Sequence, residues 1–381
     1  MFEIINNDCL IGMSPISEKS IDMICTDPPY GINFMGKDWD KALPNPDVWS
    51  ECFRILKPGG SAVVMSGARL DCLWRMCQDL ELAGFELAQT AFFWTYNTGF
   101  PKGTNLSKAA IESNEPEYIT KELDGWFTKG KVKPAVEVII WARKPISESS
   151  EFNNMALHGV GGVNCGDCML PFDGDEWEYP AGEGGVSGYH IHSKQFRVDN
   201  PIKANPKGRF PANLIVTDDS IGEDSRFFSI DTWAKENGYS EDWVDVADSG
   251  ILNIKKPSRA EKEEGCELLD GKFSGMSNGA QIHGEGYDKG QAIGLNRVIK
   301  KKNHHPTCKP VKLMAFLVNF LTKKGQTVLD PFCGSGTTGV ACMQSRRNFI
   351  GFEINTEYVE IANARCENAL RNINKQQSLG V

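Results

Sequence analysis

The 381-residue chain contains no run of about 18 apolar residues, so nothing in it reads as a membrane span. Its start, MFEIINNDCLIGMSPISEK, brings acids early and lacks the basic-then-apolar layout of a secretory signal. There is no Gly-Lys-Ser/Thr, which excludes a phosphate-cradling P-loop. No internal repeat recurs, which sets solenoids and propellers aside. Positive charge is in deficit: 41 Lys and Arg stand against 50 Asp and Glu, a net charge of −9. That balance argues against a protein that coats nucleic acid through bulk charge, although a local basic groove is compatible with it. What is present is ordinary for a soluble globular chain. Hydrophobic residues make up 40% and charged residues 24%, and the length suits two or three structural units. Twelve cysteines without an export signal read as reduced, cytosolic thiols.

The charge is banded. Residues 146–300 hold 15 basic and 26 acidic side chains, a balance of −11, which leaves the two flanks together at +2. Within that middle stretch, 167–183 has six acids and no Lys or Arg, and 218–249 has ten acids and two bases. Between them Lys194, Arg197, Lys203, Lys207 and Arg209 face a single acid, Asp199. A second basic stretch gathers Lys289, Arg297, Lys300, Lys301 and Lys302.

The first 145 residues alternate short apolar runs with helical stretches. Ile21 to Thr26 is an apolar run stopped by Pro28-Pro29 and reads as a buried strand. Pro46 to Leu56 has apolar residues at helical spacing, and Lys57-Pro58-Gly59-Gly60 reads as its stop and a turn before a strand at Ser61 to Met65. Leu70 to Leu82 predicts a helix, and Phe85 to Tyr96 and Val136 to Ala142 predict strands. Residues 146–300 differ in texture, with dense glycine, scattered aromatics and poor periodicity. One clear strand, Ala212 to Thr217, stands in what otherwise reads as an irregular inserted domain with long loops. From about 301 the alternation returns: a helix at Val311 to Leu321, a strand at Gln326 to Leu329, a helix at Gly339 to Ser345, a strand at Asn348 to Ile354 and a closing helix from Thr356. Strands alternating with helices point to an α/β fold with a mostly parallel central sheet.

Two short signatures carry chemistry. Asp27-Pro28-Pro29-Tyr30 follows the first buried strand, and ligands in open α/β sheets bind at the carboxyl ends of strands. Asp330-Pro331-Phe332-Cys333-Gly334-Ser335-Gly336-Thr337-Thr338 again lies between a strand and a helix, with glycines that permit a tight turn and close approach to a ligand. Glu353 ends the next strand, a placement that suits a carboxylate bonding ribose hydroxyls. By itself, Asp-Pro-Pro-Tyr could equally be a strand-ending turn.

Together, and in this order, the two signatures resemble those of the S-adenosylmethionine-dependent amino DNA methyltransferases, in the β group where the Asp-Pro-Pro-Tyr element comes first. More of the chain is similar. Asn7-Asp8-Cys9-Leu10 looks like an element whose acid contacts the cofactor adenine, and Leu56 to Gly60 matches the turn after the catalytic motif. Phe93-Trp94-Thr95-Tyr96 with Gly99-Phe100-Pro101-Lys102-Gly103 is similar to a target-base element, and His305-Pro306-Thr307-Cys308-Lys309-Pro310 matches one that completes the cofactor pocket. Gly208 to Ile215 is similar to phage and prophage members.

The resemblance implies a circularly permuted, Rossmann-like methyltransferase fold. Residues 1–145 would form its catalytic half, 146–300 an inserted target-recognition region, and 301–381 the cofactor-binding half. It implies methyl transfer from S-adenosylmethionine to adenine N6 in double-stranded DNA. Asp27 and the carbonyl of Pro28 would grip the amine, Pro29 would help fix the backbone, and Tyr30 would stack on an extruded base. Asp8, Cys9, His305, Thr307, Lys309, the 330–338 turn and Glu353 would hold the cofactor. Lys102, Lys203, Lys207, Arg209, Lys300 and Lys301 would contact phosphate. A homodimer and a cognate restriction endonuclease are partners the resemblance allows, in the cytoplasm of a bacterial or phage-infected cell.

Other readings stand beside these. Cytosine N4 is the nearest rival, because the same grip serves either amine; family members with Asp first lean towards adenine. RNA or a protein glutamine is a rival substrate, and a DNA-binding protein with a degenerate pocket is the non-enzymatic alternative. Asp8 before an apolar helix is also an ordinary N-cap. Trp94 reads equally as a core aromatic. Cys165-Gly-Asp-Cys168 has zinc-like spacing but lacks a clean second pair, so no metal is expected and the cysteines read as small buried hydrophobes.

Overall fold

The computed structural model describes residues 1–32, 38–96, 103–128, 134–169, 210–216, 257–274 and 299–378, with short strand segments at 178–179, 202–203, 276–277 and 280–281. Its centre is an eight-stranded sheet of β1 (Phe2–Asn6), β2 (Ile21–Thr26), β3 (Leu56–Gly67), β4 (Phe92–Thr95), β5 (Val136–Arg143), β6 (Leu214–Val216), β7 (Thr327–Asp330) and β8 (Asn348–Glu353). Their spatial order is β1-β8-β7-β2-β3-β5-β4-β6. Every neighbouring pair is parallel except the two that involve β5, which runs against the rest. The fold is therefore α/β with a mostly parallel sheet.

Ten α-helices accompany the sheet among the described residues. They are α1 (Cys9–Met13), α2 (Pro46–Ile55), α3 (Leu70–Leu82), α4 (Leu106–Glu112), α5 (Glu117–Glu122), α6 (Glu151–His158), α7 (Arg259–Glu263), α8 (Val311–Leu321), α9 (Thr337–Gln344) and α10 (Thr356–Ser378). Alternation along each strand divides the core in two. Met23, Val63, Met65, Ile139, Val328 and Phe349 join α8, α9 and α10 on one face. Ile24, Ala62, Val64, Ile140, Leu329 and Phe352 join α1, α2 and α3 on the other. A sheet covered on both faces needs apolar side chains at successive positions, which is why β2 is buried along its whole length.

Two sequence expectations change. Lys57 to Gly60 is not a separate turn but part of β3. The register against β2 jumps from Ile21↔Leu56 to Met23↔Ser61, so the strand bulges there and accommodates Pro58 and both glycines. Gly59 has φ +79° and its amide donates to the carbonyls of Lys144 (3.0 Å) and Pro145 (3.2 Å). The strand expected over 85–96 is confined to Phe92–Thr95, preceded by an isolated bridge between Glu86 and Arg143.

Parts of the middle stretch are built into this domain. Asn154 on α6, fully buried, donates to the carbonyls of Pro58 and Val160 at 3.0 Å each. The Asn164 amide donates to the Phe320 carbonyl (2.8 Å), and Cys168 lies in the core. The strand expected near 212–217 is β6, paired in parallel with β4. Beyond α7, Gly265 lies so close to α10 that a Cβ there would come within 2.8 Å of the Asn368 Cβ. Each piece is short and buries only one or two apolar side chains, so it leaves no periodic signal in the sequence. The acidic band at 218–249 and most of the one at 167–183 lie outside the described residues.

Candidate active site

Parallel pairing brings the carboxyl ends of β1, β8, β7 and β2 to one edge of the sheet, and with them Asp8, Glu353, Asp330 and Asp27. Asp27 follows β2 directly. The turn after it is tied by Asp40, a buried carboxylate that accepts from the amides of Tyr30 (2.7 Å) and Gly31 (3.0 Å). Pro28 is buried, Pro29 is half-buried, and Gly31 has φ +66°. The backbone around Asp27 is thereby fixed before any ligand arrives.

The Asp27 carboxylate sits in a cluster of four polar side chains. Its Oδ2 accepts from Lys309 Nζ (2.5 Å), and its Oδ1 accepts from the Tyr30 hydroxyl (2.7 Å). That hydroxyl is also 3.2 Å from Glu137 Oε2, and Lys309 Nζ is 3.3 Å from the same oxygen. The side chains of Asp27, Glu137 and Lys309 are 18%, 14% and 10% exposed, so solvent screens these charges weakly. Burial acts to lower the pKa of Lys309, but Asp27 and Glu137 outweigh it and hold the ammonium well above its usual range. Burial and the same two carboxylates push the Tyr30 phenol well up, which keeps it a donor. The Tyr30 ring rests on Gly67, where a Cβ would lie 3.3 Å from ring Cδ2. Gly67 pairs with Glu137 across the β3–β5 ladder.

Asp330 forms a second knot. It is 3% exposed and accepts from Thr26 Oγ1 (2.6 Å), Thr338 Oγ1 (2.8 Å) and the Phe332 amide (3.0 Å). Burial pushes its carboxyl up to about 6 against the pull of these bonds. Asp330 thus fastens the glycine turn to β2 from inside. In that turn Gly334 and Gly336 have φ of +52° and +77°, a region that L side chains avoid. Glu353 is half-buried; its Oε2 accepts from the Gly334 amide (2.9 Å) and its Oε1 from the Asn355 amide (2.8 Å). Arg365 on α10 reaches under the turn to Ser335 O (2.7 Å), Ser335 Oγ (3.2 Å) and Thr337 Oγ1 (3.1 Å). Ser335, Thr337 and Thr338 are buried, so their side chains hold the turn rather than face outward; Pro331 is buried too, and the Phe332 ring is half-buried beside Trp49.

The 305–310 element divides between the two knots. A Cβ on Gly334 would meet His305 Nε2 at 2.9 Å, and His305 also contacts Tyr358 edge-on at 4.5 Å. Thr307 closes the loop through its carbonyl, 3.1 Å from His305 Nδ1. Cys308 Sγ lies 3.2 Å from Ser335 Oγ. Burial raises the Cys308 thiol, but His305, Arg365 and Ser335 outweigh it and bring it down to about 6. Lys309, expected on the cofactor, instead points at Asp27. At the front, Asp8 caps α1, its Oδ1 accepting from Leu10 N (2.9 Å) and Ile11 N (3.4 Å), while burial pushes the Cys9 thiol up to about 12.

Sequence reasoning missed five side chains here: Thr26, Asp40, Glu137, Arg365 and Glu261. Glu261, from α7, accepts from the Val311 amide (2.9 Å) and so caps α8, whose own N-cap is Pro310. Trp94 is 1% exposed and packs in the core against Tyr96. Lys300 and Lys301 lie on a ribbon, Ile299–Lys301, paired with Lys272–Ser274. Lys203 lies in the strand Ile202–Lys203, and Lys102, Lys207 and Arg209 fall outside the described residues. Among the described residues no three His, Cys, Asp or Glu side chains group to hold a metal ion, and no helix is long and apolar enough to cross a membrane.

Comparison with known proteins adds to this geometry. Residues 21–364 match a family model described as DNA methylase. Type II methyltransferase M.BglI of Bacillus subtilis is 41% identical over 80 residues, 21% of this chain and 23% of that protein. DNA adenine methyltransferase YhdJ of Escherichia coli K12 is 44% identical over 64 residues, 17% of this chain and 22% of that protein. The matched stretches therefore span about a quarter of these relatives' length. Among solved structures, the cytosine-N4-specific PvuII DNA methyltransferase aligns over 98% of this chain and 92% of its own, at 17% identity and a TM-score of 0.46.

Proposed function

The chain belongs to the DNA methylase family, and within it we propose that it transfers a methyl group from S-adenosylmethionine to adenine N6 in a specific sequence of double-stranded DNA. The observation that carries this reading is Asp27, held at the carboxyl end of β2 beside the glycine turn that follows β7. An exocyclic amine is a poor nucleophile because its lone pair is delocalised into the ring. A carboxylate oxygen of Asp27 and the Pro28 carbonyl are acceptors for its two N–H groups, and gripping both favours positive charge on the nitrogen as it attacks. Asp40 preorganises that pair by fixing the turn.

The residues present fit the cofactor. Each oxygen of Glu353 has a lone pair beyond the amide bond it accepts, as ribose hydroxyls require. Gly334 and Gly336 carry no side chain over the turn, and the half-buried Phe332 ring offers an apolar face for a nucleobase. Asp8, His305 and Thr307 complete the rim, with Asp330 and Arg365 bracing it from below. When bound, S-adenosylmethionine supplies a methyl group activated on a sulfonium.

Adenine is favoured over cytosine by the leading Asp of Asp-Pro-Pro-Tyr. The order of the two motifs supports the β group, with a permuted domain and a target-recognition region within 146–300. Lys102, Lys203, Lys207, Arg209, Lys300 and Lys301 are the phosphate contacts of this reading. A homodimer, a cognate restriction endonuclease and a bacterial or phage-infected host rest on the resemblance alone. Modification-sensitive sequencing of DNA from cells expressing the protein tests the whole. N6-methyladenine in one sequence context is expected, and its loss in Asp27→Ala, which should still bind the cofactor; N4-methylcytosine would replace the base assignment, and an unmodified genome would overturn the function.

A further inference from the structure

Asp27 reaches the sheet edge with both carboxylate oxygens engaged, one by the Tyr30 hydroxyl and one by the Lys309 ammonium. This matters for the reading above, on which the present inference rests. An ammonium 2.5 Å from Asp27 Oδ2 takes one of that oxygen's two lone pairs and crowds the approach of the target amine to the other. Its charge also opposes the positive charge that develops on an amine nitrogen held by the same carboxylate. Lys309 cannot simply withdraw, because a buried cation without a partner is strongly unfavourable. A second seat is already in place: Glu137 Oε2 stands 3.3 Å from Nζ. The same oxygen stands 3.2 Å from the Tyr30 hydroxyl, which has one proton for two carboxylates.

Three elements deliver this arrangement. Glu137 projects from β5, opposite Gly67 on β3, whose missing side chain leaves the room that the Tyr30 ring fills. On the other side Glu137 pairs with Trp94 of β4. The nearby Tyr96 phenol is pushed up to about 12 by burial and then by Glu137, so it stays neutral and does not compete for the ammonium.

We propose that Glu137 is a positioning residue for methyl transfer: it receives the Lys309 ammonium when the target amine takes Asp27 Oδ2, and it holds the Tyr30 hydroxyl through that exchange. Asp27 is then free of its counter-ion at the moment it must favour positive charge on the amine, while Lys309 remains paired.

Single-turnover methyl transfer to a duplex carrying the target base tests this. Glu137→Gln should slow the transfer on the order of 100-fold, since the ammonium is left on Asp27. Binding of S-adenosylmethionine without DNA should stay within about twofold, because Glu137 does not touch the glycine turn. Adding Lys309→Met to Glu137→Gln should recover roughly tenfold of the lost rate, because the obstructing cation is gone. A merely structural Glu137 would instead make the double variant slower than Glu137→Gln. A Glu137→Gln rate within about threefold of wild type overturns the proposal, and so does a double variant slower than the single one. The wild-type protein with the duplex and S-adenosylhomocysteine gives a measurement that needs no variant. A crystal structure should place Nζ on Glu137 and away from Asp27; Nζ still on Asp27 with the amine bound overturns the proposal. A wild-type protein that methylates no DNA would overturn the function itself, whereas an active wild type with an unimpaired Glu137→Gln overturns only the role of Glu137.

Discussion

Asp330→Asn is expected to remove a loss of stability that the wild-type protein incurs as pH rises between about 4 and about 6. The carboxyl is 3% exposed, and burial lifts it from 3.8 to about 6 although Thr26, Thr338 and the Phe332 amide all donate to it. Well below pH 4 it is protonated in the folded and the unfolded chain alike and contributes no difference. Between the two values the unfolded chain releases its proton first, so the native state binds more protons and stability falls with rising pH. Above the folded value the native state carries the full cost of a buried charge. A shift of roughly two units corresponds to about 3 kcal/mol, with the three hydrogen bonds already inside that net figure. Asn keeps an acceptor for Thr26 and Phe332, and the Thr338 hydroxyl can turn to accept from its amide. The two proteins should therefore be equally stable near pH 4 and diverge above it, the variant reaching an advantage of up to about 3 kcal/mol at pH 7. Urea unfolding of both proteins across pH 4 to 8 measures the difference directly. A difference independent of pH, or a variant that loses stability as pH rises, would refute the reasoning. A native carboxylate kept at such a cost is what a site optimised for ligand rather than stability looks like.

Two further predictions concern glycines. Gly336→Ala combines φ +77° with a Cβ 2.8 Å from the Ala362 Cβ and 2.9 Å from its Cα, so α10 itself must shift; unfolding stability should fall by about 2–5 kcal/mol. Gly334→Ala at φ +52° meets only the end of the His305 ring, so stability should fall by about 1–2 kcal/mol while calorimetry reads a cofactor affinity at least roughly tenfold weaker; a reversed ranking of the two variants in stability would contradict this. Gly67→Val drives a branched side chain into the Tyr30 ring, and kcat should drop roughly 10- to 100-fold with cofactor binding unchanged, since the phenol loses its place between Asp27 and Glu137.

Much of the frame was legible from periodicity alone. Ile21–Thr26, Leu70–Leu82 and Val311–Leu321 have the bounds that the apolar pattern predicts. Asp27 and the 330–338 turn were legible because each follows a buried strand and brings its own proline or glycine signature. The bulge in β3 was not, since Pro-Gly-Gly signals a turn unless a long-range partner accommodates it, and the partner is the backbone at Lys144 and Pro145. Arg365 was hidden for a similar reason. One Arg within an amphipathic helix reads as surface, and only the docking of α10 under the glycine turn buries it.

The miss at Glu137 has a different origin, and it explains why the catalytic edge holds more than its motifs. The rule that sites form at the carboxyl ends of strands directs attention on β5 to Arg143, at the end of Val-Glu-Val-Ile-Ile-Trp-Ala-Arg. But β5 is antiparallel to β3 and β4, so its first residues, not its last, lie beside Gly67 and Trp94. Strand direction is set by the chain's path between β4 and β5 and leaves no mark on the residues of the strand. A glutamate near the start of an apolar strand therefore reads as a solvated end, as it would in any parallel neighbour. With the direction known, the same residue becomes the second carboxylate beside Asp27 and the natural counter-charge for Lys309, a lysine 282 positions from Asp27 in sequence. The positive charge that the chain has little of is thus placed where two acids converge.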